Sequence, residues 1–191
     1  MRRGLDGKRK YLFVIDGSKA LRGAIRAAFG ADAPVQRCQV HKKRNVKDHV
    51  ARSYHRALSL RLSAAYGMAQ YADARAELDK VIKWLDEISP TGADSLREGL
   101  EEMLTLHRLG VPPLLRRSLS STNLIANCFA TTRERSQSVK RWRGQHQVIR
   151  WAGTMLLEAQ KRFRRVRGHE AMPVLVSKLG LNRIEQQKAV A

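Results

Sequence analysis

Two short strand-like runs lie within the first forty residues of this chain, and nothing after them reads as a strand. Tyr11-Leu12-Phe13-Val14-Ile15 is a continuous apolar run, rich in aromatic and β-branched side chains, that stops at Asp16-Gly17. Its length and lack of alternation predict a strand buried on both faces, as in a parallel sheet covered by helices. Ser18 is placed to cap a helix through Phe29, with Leu21, Ala24, Ile25, Ala28 and Phe29 on one stripe, and Gly30 closes it. Pro34 leads into the second run, Val35–Val40. Strand, helix, strand predicts a βαβ unit with parallel neighbours. Two parallel strands make a marginal sheet, so the edge beside Leu12–Ile15 is expected to stay open to pairing with another chain.

The rest of the pattern is helical. Leu58, Leu62, Ala65 and Met68 fall on one face, and Leu78, Ile82, Leu85 and Ile88 on another. Pro90-Thr91-Gly92 is expected to separate these from a helix over Ser95–Leu109, and Gly110-Val111-Pro112-Pro113 reads as the clearest linker. Thr122 or Asn123 is placed to cap a helix towards Arg135, and a last long helix is predicted over Gln145–Val166, ending at Gly168. The predicted class is α/β and predominantly helical. The expected divisions are 1–50 (sheet segment), 51–115 (all-helical insertion) and 116–191 (basic C-terminal helices).

Charge narrows the function. Against 17 Asp+Glu stand 37 Lys+Arg, a formal net charge of +20, yet the chain is 43% hydrophobic and so can build a core. Aromatics at 6% argue against a platform on which many bases stack. Two cysteines make neither a disulfide framework nor a four-ligand zinc site. No apolar run reaches the ~18 residues of a membrane span, and the N-terminus is no signal peptide. The expectation is a cytoplasmic protein with a polyanionic partner and no membrane association. The charge comes in blocks: Arg37–Arg56 has seven Lys/Arg against one acid, and Arg133–Arg167 has eleven against two. Between them, Gln70–Thr105 has nine acids against four bases. Distinct modules are implied, with the basic ones on a nucleic-acid path.

Few residues suit chemistry. Asp16 ends a strand where ligands collect in open α/β sheets, and it suits a divalent cation with oxygen preference. Equally, Asp16-Gly17 reads as the turn that leaves the strand. Cys38-Gln39-Val40-His41 places a thiol and an imidazole together, though without an orienting carboxylate. A buried cysteine beside a hydrogen-bonding histidine is the simpler reading. Trp151 is expected in a core, whereas Trp142, between Arg141 and Arg143, is a candidate to pack on DNA.

The runs Leu12–Leu21 and Val35–Val46, then Ser121-Thr122-Asn123-Leu124-Ile125, Ser138–Arg143, Arg150-Trp151 and Leu157–Val166, resemble the Mutator-type bacterial insertion-sequence transposases in order and spacing. That resemblance implies a partial ribonuclease-H-like core interrupted by an all-α insertion. It also implies cutting and joining of DNA by Asp, Asp and Glu holding two Mg²⁺ (or Mn²⁺) ions. Asp16 matches the second Asp, and Cys38 and His41 match the signature that follows it. The Glu position is Ala126, and the first Asp is expected on an earlier strand, ahead of Met1. Glu134, eight residues after Ala126, sits two turns or ~12 Å further along a helix and is rotated away.

DNA contacts, mainly to phosphates, are expected from Lys42, Lys43, Arg44 and Lys47, and from Lys140, Arg141, Arg143, Arg162, Arg164, Arg165 and Arg167, with Trp142 packing beside them. The implied partners are transposon-end and target DNA, with a second copy or a full-length transposase. The expected function is that of an insertion-sequence transposase, here a truncated copy that keeps DNA binding without catalysis and does not hold the metal alone. The alternative is a non-catalytic, basic DNA-binding or transposition-regulatory protein. A helical RNA-binding protein ranks last, since it leaves the strand-end Asp16-Gly17 unexplained.

Overall fold

The computed structural model describes Asp6, residues 9–137 and residues 139–180; Ser138 of the resemblance lies outside them. Strand β1 (Phe13–Ile15) pairs in parallel with β2 (Val35–Arg37), Phe13 opposite Val35 and Ile15 opposite Arg37. Helix α1 (Lys19–Phe29) connects them. The Ser18 hydroxyl accepts from the Leu21 N–H at 3.3 Å, and Gly30, at φ +90°, donates back to the Arg26 carbonyl. Each strand is shorter than its apolar run. β2 ends early because Cys38 is already the N-cap of α2 (Gln39–Lys47), its N–H donating to the Ile15 carbonyl at 2.7 Å.

Contrary to what its composition predicts, β1 is not buried on both faces. Ile15 packs with Ile25 and Val35, while Phe13, Phe29 and Ala33 stand at the margin of this small cluster. The rings of Tyr11, Phe13 and Phe29 meet at centroid distances of 4.7–5.9 Å. Of the α1 stripe only Ile25 is buried, and Leu21 is 45% exposed. The reason is the number of strands: the described residues form a two-stranded sheet, which leaves α1 little to cover.

The free edge of β2 is closed by side chains instead. Helices α3 (His55–Gly67), α4 (Tyr71–Ile88) and α5 (Pro90–Arg97) carry the main core, including Leu58, Leu62, Leu78, Leu85 and Leu96. The short helices α6 (Leu100–Met103) and α7 (Thr105–Arg108) lie against β2. Buried Gln36 donates to the Met103 carbonyl at 2.9 Å and accepts from the Leu106 N–H at 3.0 Å. Thr105 donates its hydroxyl to the Val35 carbonyl at 2.6 Å. Such pairing removes the cost of burying strand-edge polar groups unsatisfied.

Between α4 and Pro113 three predicted boundaries move. Pro90-Thr91-Gly92 is no separator: it forms the first turn of α5, capped by Ser89, whose hydroxyl accepts from the Gly92 N–H and donates to the His49 carbonyl. The helix predicted over Ser95–Leu109 breaks at Glu98-Gly99, where Gly99 takes φ +74°. Gly110–Pro113 is a packed connection to α8 (Pro113–Leu119), with Val111 only 1% exposed.

The described chain forms two compact units. The first runs to Ser121 and resumes at Arg167 with α11 (Met172–Lys178). The second, Thr122–Val166, is a pair of helices, α9 (Asn123–Ser136) and α10 (Gln145–Gln160). Helix α10 stops six residues before the predicted end at Val166, at a turn over Lys161-Arg162.

Candidate functional site

Asp16 sits at the C-terminal end of β1. Its Oδ1 accepts from the Ser18 N–H at 3.1 Å, so the carboxylate shapes the turn into α1. Gly17 holds φ +106°, and a Cβ there would lie 2.7 Å from the Arg37 guanidinium. On the far side of the same guanidinium, a Cβ at Gly99 would come within 2.1 Å. Arg37, 6% exposed, is therefore threaded between two glycines. Its Nη2 pairs with Glu98 Oε2 at 2.8 Å, while its Nε has no hydrogen-bond partner.

Glu98 also receives the Lys42 ammonium at 2.8 Å. Lys42 donates further to the Ser95 and Glu98 carbonyls at 2.6 and 2.7 Å, and it is 1% exposed. This corrects its expected place on a DNA-facing surface: all three ammonium donors are spent inside the protein. Burial lowers its pKa, opposed by the Glu98 hydrogen bond. The hydrogen bond from Arg37, followed by that from Lys42, holds the Glu98 carboxyl down at about 2. The acidic block is thus partly a counter-charge for the basic one. Arg22 on α1 likewise pairs with Glu102 at 2.6 Å.

Cys38 and His41 do meet. The helix starts between them, so Cys38 Sγ and His41 Nδ1 approach to 3.1 Å at the N-terminus of α2. Cys38 is fully buried. Of the remaining basic residues on α2, Arg44 is exposed and Lys43 and Lys47 half-buried. Burial, then repulsion from Lys47, lowers the Lys43 pKa.

In the second unit, Ala126 and Glu134 both lie exposed on α9. Lys140, Arg141 and Arg143 precede α10, and Arg162, Arg164 and Arg165 follow it, all of them at the surface. Trp151 is not in a core. It is 42% exposed and meets Trp142 edge-on, with centroids 6.4 Å apart at 81°.

The residues present do not make the two-metal set that the resemblance implies. Asp16 contributes one carboxylate, and among the described residues no group of three His, Cys, Asp or Glu is placed to hold a metal ion. Among them, too, no helix is long and apolar enough to cross a membrane. Arg37, Glu98 and Gln36 do not stand out from the sequence as site residues. The Gly that follows Glu98 is the one local sign of a break there, and the contacts themselves span some sixty or more residues.

Fold and site together define a predominantly helical α/β protein, a partial ribonuclease-H-like core carrying an all-α insertion. The chain belongs to the Mutator family of transposases: the family model described as "Transposase, Mutator family" matches residues 1–166. No curated protein matches it.

Proposed function

We propose that this chain serves transposition by gripping DNA and does not cut or join strands with its own residues. Position 126 carries the reading. The resemblance assigns the metal-binding glutamate to that position, and the chain has alanine there, on an exposed turn of α9. Glu134 lies two turns too far along to replace that glutamate. In-line displacement at a phosphodiester needs two cations bracketing the attacking and leaving oxygens, and alanine at 126 removes one of the carboxylates that would hold them.

The positive charge has no such gap. Arg44, Lys43 and Lys47 on α2, with the arginines flanking α10, supply phosphate contacts that release counterions and bind steeply with salt. Strand cleavage and transfer then fall to a transposase that carries the glutamate, acting with this chain.

Two measurements test this. Affinity for duplex DNA should fall steeply and linearly on a log–log salt plot, and replacing Lys43 and Arg44 by alanine should reduce the slope by about one per residue that contacts a phosphate. A nicking and strand-transfer assay with Mg²⁺ or Mn²⁺ should show no product. Nicking that disappears in Asp16→Ala would overturn the non-catalytic half of the proposal, and salt-insensitive or absent DNA binding the other half.

A further inference from the structure

The start of α10 forms an open cleft of about 720 Å³, within the range of small-ligand sites. Arg143, Gln145, His146, Arg150, Trp151 and Thr154 line it, and no acid does. Trp151 faces the cleft, while Trp142, packed edge-on against it, is not among the lining residues. The Arg143 N–H donates to Gln147 Oε1 at 2.7 Å, which ties the approach segment to the first turn of the helix. Neither Arg143 nor Arg150 has an ion pair among the described residues.

We infer that this cleft takes a single unstacked nucleotide, its base against the Trp151 indole and its phosphate between Arg143 and Arg150. The inference rests on the DNA-binding reading and refines it. A basic surface alone suits the phosphate ridges of a duplex, which present no base face. A concave site that combines a half-exposed indole with two guanidinium groups that make no ion pair among the described residues suits a flat base and its phosphate together. The Gln147 N–H is spent on the Gly144 carbonyl at 3.1 Å, so in the first turn of α10 the Gln145 and His146 N–H groups are the ones left to add donors for the same anion. Trp142 acts as a positioning residue that holds the Trp151 ring in place. The aromatic expected in a core is thus the one that meets the ligand.

Three labelled duplexes test the inference on the unaltered chain by fluorescence anisotropy: one fully paired, one with a single unpaired base, and one with an abasic unit at that position. The unpaired-base duplex should bind about 5- to 160-fold more tightly than the abasic one, the range that base–aromatic stacking gives. Trp151→Ala should erase the difference and Trp151→Phe should keep part of it. In a Trp84→Phe background, tryptophan emission should be quenched by the unpaired-base duplex and not by the abasic one. Equal affinity for those two duplexes, with paired DNA still bound, overturns the nucleotide site and leaves the DNA-binding reading standing. Failure to bind any of the three overturns both.

Discussion

Replacing Glu98 by glutamine removes the one anion between two buried cations. Arg37 and Lys42 are 6% and 1% exposed, and their shared carboxylate is the counter-charge for both. Stripping one partner from a fully buried pair costs about 3–5 kcal/mol. Here the Glu98 side chain is 52% exposed, so water already screens part of the interaction. We expect Glu98→Gln to destabilise the first unit by about 2 kcal/mol. Lys42→Met removes a charge together with its desolvation cost, takes the ammonium donor from the Ser95 carbonyl and leaves the Glu98 carbonyl only the 3.4 Å contact from Arg37, and should cost about 1 kcal/mol. The double variant should cost less than the two singles combined, because each single already breaks the same contact.

The acid dependence carries the sign. The Glu98 carboxyl titrates at about 2 in the folded chain against an ordinary 4.5, so between those values the unfolded chain binds more protons. Its contribution is complete above about pH 4.5 and is lost as the pH falls towards 2. Urea unfolding followed by circular dichroism, at pH 7 and at steps down to pH 3, measures both effects. The wild type should converge on Glu98→Gln as the pH drops. A Glu98→Gln variant within about 0.5 kcal/mol of wild type at pH 7, or a gap that does not narrow in acid, would refute the reasoning.

Two further substitutions probe the same junction. Gly99→Ala forces a Cβ against Arg37 at φ +74°, whereas Gly110→Ala, at φ +65°, meets open space; thermal melts should show the first losing at least about 1 kcal/mol more than the second. Gln36→Leu should cost about 1–3 kcal/mol by urea titration, since it strands the Leu106 N–H in a fully buried position.

What the sequence makes legible is local. Ser18 as a cap, Gly30 as a stop and the apolar run into Asp16 are all decided within a few neighbouring residues, and they stand where the pattern puts them. The parallel pairing is legible too, because strand, helix and strand follow in order. Lys42 reads as surface because its neighbours Lys43 and Arg44 are basic, while its partners lie 53 and 56 residues away. The Cys38–His41 pair is legible from its spacing, but its contact depends on the helix beginning between the two residues, since one strand over Val35–Val40 would send the side chains to opposite faces. Trp151 reads as core by its size, but a pair of helices offers too little interior to hide an indole.

Closing β2 with Gln36 and Thr105 has a consequence for growth of the sheet. With that side plugged by side-chain hydrogen bonds to α6 and α7, any additional strand can join only alongside Phe13–Ile15. The sheet therefore has a direction in which it lengthens, away from the helical insertion and past Tyr11, Phe13 and Leu21. Asp16, at the tip of β1, would lie on the inner side of that boundary, next to whatever residue the newcomer brings to its own C-terminal end.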